Sequence, residues 1–277
     1  MFKAPKASYA VLMCHAPIVI PEIGRERAGE CASSTQSMVD IANNLVAAAP
    51  DLLVVLSPHT PRLEDRFCCV TGDRLSGGFE RFGHPQIHAE FPNANRVIPE
   101  LKAECAREGV LMDTIPEFSL DHGAMVPLEF MKRAGWSGET LVLGFPYQPS
   151  HVDCRRLGRA IAKLSNDKGE SWAILASGDM SHRLTPNAPA GFHPDAQRFD
   201  DHMVTQVRAG NLNNAVMVDE SLRALAAEDV VDSLEIASAA IDFEREGIKV
   251  LSYEGPFGVG YMNAILKGNE LRQSMAR

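Results

Sequence analysis

The sequence has no CxxC pair, no long apolar run, no basic cluster, no internal repeat and no low-complexity linker. Each absence excludes something. Without a stretch of roughly 18 apolar residues there is no candidate membrane helix. The opening segment carries two lysines and then apolar residues. Cys14, His15 and Pro17 interrupt that run before any small-residue cleavage site, so it reads as a first buried strand rather than a secretion signal. The six cysteines (14, 31, 68, 69, 105 and 154) lack metal-finger or redox spacing, and two are adjacent. They read as reduced, partly buried thiols of a cytoplasmic protein. Lys and Arg number 27 against 36 Asp and Glu, for a net charge of −9 spread along the chain. That balance excludes a nucleic-acid partner, which needs a clustered basic footprint, and leaves room for small anionic substrates at a metal or dipole.

What is present is a single large α/β unit's worth of core: 277 residues, 45% hydrophobic and 23% charged. Apolar runs of strand length alternate with helical patterns, which predicts a central mixed, largely parallel sheet flanked by helices in one domain. Strands are expected over 9–13, 52–56, 66–71, 140–145, 172–177, 248–253 and 259–266. Helices are expected over 34–49, 96–108 and 155–164, and residues 199–243 read as mostly helical. The Gly-rich, polar stretch 72–95 reads as a long irregular loop, a lid or specificity element, with His84 and His88 in solvent.

Functional side chains in α/β sheets gather where strands end and loops begin. His15, His59 and His182 each follow an apolar strand by a few residues, in tight contexts: Cys14-His15-Ala16-Pro17, Ser57-Pro58-His59-Thr60-Pro61 and Ser177-Gly178-Asp179-Met180-Ser181-His182. One histidine after a strand is commonly a plain surface or core residue. Three at equivalent positions, on rigid turns that fix a ligand's direction, point to convergence at one sheet edge. Asp121-His122-Gly123 opens an apolar helical run. There Asp121 fits a helix N-cap, which is compatible with a role for His122. Two neutral imidazoles hold a metal weakly and need a carboxylate, for which Glu254 at a strand end before Gly255-Pro256-Phe257-Gly258 is the candidate. Taken alone, Glu254 reads as an ordinary strand-end carboxylate and the glycines as a hairpin. Gly258 and Gly260 give only a weak phosphate-loop signal, because Val259 begins a strand.

Five motifs in order, His15-Ala16-Pro17, Ser57-Pro58-His59, Leu120-Asp121-His122-Gly123, Gly178-Asp179-Met180-Ser181-His182 and Tyr253-Glu254-Gly255-Pro256-Phe257-Gly258, resemble the class III (LigB-type) extradiol ring-cleavage dioxygenases. The resemblance runs from about residue 10 to residue 266. It implies that His15, His59 and Glu254 bind non-haem Fe(II), that His182 is the active-site acid/base and that His122 helps hold substrate. It also implies a catechol-like or aminophenol-like substrate opened with O2, in a homo-oligomer that in some family members includes a small second subunit. The family often has Asn-Asp-His where this chain has Ser57-Pro58-His59. Two alternatives stand beside this reading. One is a Memo-like metal-binding protein without ring cleavage, a related group with Cys-Gly in place of Glu254-Gly255. The other is a zinc hydrolase, since two histidines and a glutamate also suit zinc.

Overall fold

A computed structural model describes residues 6–268. In chain order its strands are β1 (Tyr9–Met13), β2 (Leu52–Leu56), β3 (Phe67–Val70), β4 (Arg74–Phe79), β5 (His84–Pro92), β6 (Met112–Ile115), β7 (Ser119–Leu120), β8 (Thr140–Gly144), β9 (Trp172–Ser177), β10 (Lys249–Glu254) and β11 (Tyr261–Lys267). The helices are α1 (Pro21–Gly24), α2 (Ala32–Ala47), α3 (Ile98–Glu108), α4 (His122–Arg133), α5 (His151–Lys168), α6 (Ala196–Arg208), α7 (Leu212–Val216), α8 (Glu220–Ala226) and α9 (Val231–Ala240). Among the described residues no helix is long and apolar enough to cross a membrane.

Eight strands form one mixed sheet in the order β10-β11-β1-β9-β2-β8-β3-β6. Its centre, β1-β9-β2-β8, is parallel, and β10, β11 and the β3–β8 pair supply the antiparallel contacts. The uninterrupted apolar runs follow from burial on both faces, which parallel strands require. Successive side chains alternate between two cores. Leu12, Val54, Leu56, Ile174 and Ala176 meet α3, α5, α6 and α9 on one face. Val11, Met13, Leu53, Val55 and Leu175 meet α2 and α4 on the other. All six cysteines are free and buried.

The stretch expected to be an irregular loop folds as a hairpin. β4 and β5 pair antiparallel and β7 joins them, giving a second, three-stranded sheet. Ile87, Ala89 and Phe91 point inward on β5 while Gln86, His88 and Glu90 face solvent, the alternation of a half-buried strand. His88 is exposed as expected, but His84 is buried and meets the Arg25 guanidinium at 3.4 Å. Strand β6 and its pairing with β3 are also absent from the sequence reading.

Candidate metal centre

The centre forms because three adjacent parallel strands end level. β9 lies between β1 and β2, with Met13 opposite Ser177 and Leu56 opposite Ala176. The loops after them carry His15, Asp179 and His59 to one edge. The helix α4 brings His122 to the same place. One ring nitrogen from each of His15, His59 and His122 falls within 4.8 Å of the others. The rings of His15 and His59 meet edge to face at 4.8 Å, and those of His59 and His122 lie 4.3 Å apart.

Each imidazole is held by a named partner. Ser177 Oγ donates to the Gly123 carbonyl and lies 3.0 Å from His15 Nδ1. Its one hydrogen is thus committed, so Nδ1 donates to it and Nε2 is the nitrogen that faces the centre, offering its lone pair once a cation displaces its proton. The backbone N–H of His15 donates to Asp179 Oδ1 at 2.9 Å. Asp121 caps α4 by accepting from Ala124 N at 3.1 Å and also accepts from the Ser57 and Thr60 hydroxyls, at 2.9 and 3.1 Å. One carboxylate therefore ties the His59 loop to the helix carrying His122. Gly123 permits that approach, since a Cβ there would stand 2.7 Å from Ser57 Oγ and 3.0 Å from His59 Cδ2.

Glu254 is not with them. Its Oε1 accepts from the Ser34 backbone N–H at 2.7 Å, in the first turn of α2. Glu254, expected as the third donor, makes no hydrogen bond or ion pair with either histidine among the described residues. The carboxylate that meets both is Asp229, in the turn between α8 and α9. Its Oδ2 lies 3.4 Å from His15 Nε2 and 3.2 Å from His59 Nε2, while the two nitrogens stand 3.1 Å apart. Its Oδ1 accepts from Asp179 N at 2.7 Å, and Asp229 N donates back to Asp179 O at 3.2 Å. One oxygen is anchored and the other is aimed.

Those separations test whether an ion fits. Donors bound at about 2.1 Å in adjacent positions stand ~3.0 Å apart in octahedral and ~3.4 Å apart in tetrahedral geometry. The triangle of His15, His59 and Asp229 falls within that span. Its electrostatics also favour a positive charge. Burial opposes protonation of His15, yet Asp179 and Asp229 overcome it and raise its pKa to about 9. Burial alone would raise Asp229, but the two imidazoles hold it well below the usual carboxylate range. His122 goes the other way. Burial, together with His59 and His15, pushes it down to about 4, so it is a neutral ring.

His182 lies in the loop after β9, half-buried. Its Nδ1 is 3.1 Å from the Met180 carbonyl, which only accepts, so the proton sits on Nδ1 and Nε2 is basic. The loop is clamped from several sides. His182 N donates to Ala226 O, Met180 N to Gly260 O and Leu184 N to Gly258 O, while Ser181 N donates to Asp200 Oδ1 at 2.9 Å. Gly258 takes a left-handed φ of 80° in the β10–β11 turn that reaches this loop.

Comparison with known proteins agrees with the fold. The family described as the catalytic LigB subunit of aromatic ring-opening dioxygenase matches residues 9–263. The chain belongs to the LigB family. Protein CA_C1420 of Clostridium acetobutylicum is 28% identical over 260 residues, covering 90% of this chain and 55% of that protein. The 3,4-dihydroxyphenylacetate 2,3-dioxygenase of Escherichia coli is 30% identical over 95 residues, 34% of each chain. The chain thus spans about half or less of the curated relatives it matches. Uncharacterized protein JW3007 of Escherichia coli K12 superposes with a TM-score of 0.61 at 16% identity, covering 92% of this chain and 98% of that one, a likeness of fold. LigB-family enzymes are metal-dependent, and this LigB chain brings three histidines together that could hold an ion.

Asp229 escapes a search of strand ends because it follows no strand. Glu228-Asp229 precedes the apolar start of α9, and an acidic residue there reads as a helix cap. Glu228 does cap, accepting from Val230 N at 2.7 Å and Val231 N at 2.9 Å. The second acid of the pair was the signal: one carboxylate suffices for the cap, and the other is left for another task.

Proposed function

We propose that this LigB-family chain is a non-haem Fe(II)-dependent extradiol dioxygenase that opens a catechol-like or aminophenol-like ring with O2, its metal held by His15, His59 and Asp229. The observation that carries this reading is the donor triangle, two imidazole nitrogens and one carboxylate oxygen converging at adjacent-site separations. Two histidines and one carboxylate on one face leave the opposite positions to substrate and O2, the arrangement of Fe(II) oxygenases. When bound, iron supplies Lewis acidity toward the diol and the path for electrons between diol and dioxygen.

The chain's own residues do the rest. Asp229 Oδ2 gives the anionic charge that offsets a divalent cation, and its Oδ1–Asp179 N bond keeps that oxygen aimed. Ser177 fixes the His15 tautomer with Nε2 free. Proton transfer falls to His182. Its Nε2 takes the proton from a phenol hydroxyl and can return it to an oxygen atom as the ring opens, because Nδ1 stays committed to the Met180 carbonyl. His122 faces both imidazole donors and presents a ring nitrogen to a substrate oxygen.

Oxygen uptake by the Fe(II)-loaded protein, screened with catechols, gallate-like acids and aminophenols, tests the reading. Turnover with at least one substrate class is expected, and His182→Ala should lower it on the order of 10²–10⁴-fold with iron content unchanged. Iron that binds without oxygen uptake on any substrate sinks the dioxygenase reading. A zinc enzyme is the second reading, favoured by the third imidazole within 4.8 Å, since three histidines suit catalytic zinc. Metal content after anaerobic purification separates the two.

A further inference from the structure

The β4–β5 hairpin sets an aromatic ring against the third imidazole of the cluster. Phe82 closes the short 3-10 turn Glu80–Phe82 between the two strands. Its ring centroid is 5.9 Å from that of His122, with the planes at 66°. His122 in turn touches the rings of His59 and His15. Phe82 is 41% exposed although its ring lies against that of His122.

The placement is held from below. Phe79, fully buried, packs its ring 6.2 Å beneath Phe82. His84, the strand partner of Phe79, meets Arg25. Lys132 of α4 donates to the His88 carbonyl, and the same helix carries His122 at its start. The hairpin tip and the histidine cluster therefore rest on one support.

A ring that stabilised the fold by burial would be covered, and Phe82 is not. It gains burial when a flat apolar molecule occupies the space in front of His122. Aromatic pairs favour edge-to-face or offset contact at centroid separations of about 4.5–7 Å. We propose that Phe82 is a specificity-determining residue: it packs against the aromatic ring of a substrate whose oxygens face the His15, His59 and Asp229 donors. The hairpin 74–92 is then the element that selects for aromatic over aliphatic chelators. The inference rests on the ring-opening reading of the same site and adds the surface that recognises the ring.

The test uses binding, not turnover. The Fe(II)-loaded full chain is titrated without oxygen with two bidentate oxygen ligands: 4-nitrocatechol, which has a ring, followed by its absorbance, and acetohydroxamate, which has none, followed by calorimetry. Phe82→Ala should weaken 4-nitrocatechol on the order of tenfold and leave acetohydroxamate unchanged, and Phe82→Trp should restore the catechol. Unaltered catechol affinity in Phe82→Ala, or an equal loss for both ligands, overturns the role of Phe82 while the ring-opening reading stands. A wild-type protein that binds acetohydroxamate but not 4-nitrocatechol overturns both. Unchanged circular dichroism and iron content in the variants exclude misfolding, as expected for an exposed side chain.

Discussion

Two acidic segments lie near the histidines and end in opposite roles. The β10–β11 turn, with Glu254 and its glycines, looks like a ligand loop, yet its carboxylate serves the first turn of α2 through Ser34 N. The turn between α8 and α9 looks like a helix start, yet it sends Asp229 to His15 and His59. The difference is one of anchoring. Asp229 has one oxygen tied to Asp179 N, whose own side chain holds His15 N, so donor and ligand loops brace each other. The glycine turn contributes in another way. Its carbonyls at Gly258 and Gly260 receive Leu184 N and Met180 N, and so it seats His182 rather than the metal.

Four substitutions break or sharpen that contrast. The largest effect is expected for Asp229→Ala, which leaves two imidazoles without a charged donor. Anaerobic iron titration should show at least a hundredfold loss of affinity, with turnover lost alongside it. Iron binding at wild-type strength in this variant would return the ligand role to another carboxylate.

Asp200→Asn tests the clamp on the His182 loop through pH. Burial raises the Asp200 carboxyl to about 7, against the Ser181 N–H and Tyr253 hydroxyl that favour its anion; Asp201 and Glu228 add to the rise. Folding then binds this proton more tightly than the unfolded chain does. The stabilisation is full below the ordinary carboxylate range and is lost as pH climbs to about 7, up to about 4 kcal/mol. Chemical denaturation between pH 4 and 8 should show that decline in the wild type and a flatter profile in Asp200→Asn.

Ser177→Ala removes the acceptor that fixes the His15 tautomer. Iron affinity should fall on the order of 10–100-fold with the fold intact, a loss smaller than that of Asp229→Ala. The smallest effect belongs to Glu254→Ala. It should cost about 1 kcal/mol in urea unfolding, the scale of a lost helix N-terminal acceptor, with iron affinity unchanged. A lost iron site in Glu254→Ala would reverse the comparison.

The fold was legible where one signal dominated. The runs 9–13, 52–56 and 172–177 could only be buried strands, and the structure has them with those bounds. The helix cap at Asp121 was legible too, because a short acid before an apolar run has one common task. The hairpin at 74–92 was not, since Gly77, Gly78, Pro85 and Pro92 outweighed the alternation of Ile87, Ala89 and Phe91. In the site, His15 and His59 were readable because level strand ends bring them together, whatever the rest of the chain does. Asp229 was not, because its placement depends on how α8 and α9 pack against the loop after β9, and the local sequence offers only a spare acid beside the cap at Glu228.

The central strand β1 makes the centre a reporter of global assembly. It is seated between β9 and β11, which come from the later half of the chain, and its loop carries His15. His59 and Asp229 are equally remote from one another in sequence. No short segment can hold two of these three groups together, so with the proposed donor set a cation gains its affinity only after long-range pairing is complete. Bound metal thus raises the barrier to whole-chain opening, and amide exchange in β1, β9 and β2 should slow together on metal loading rather than loop by loop.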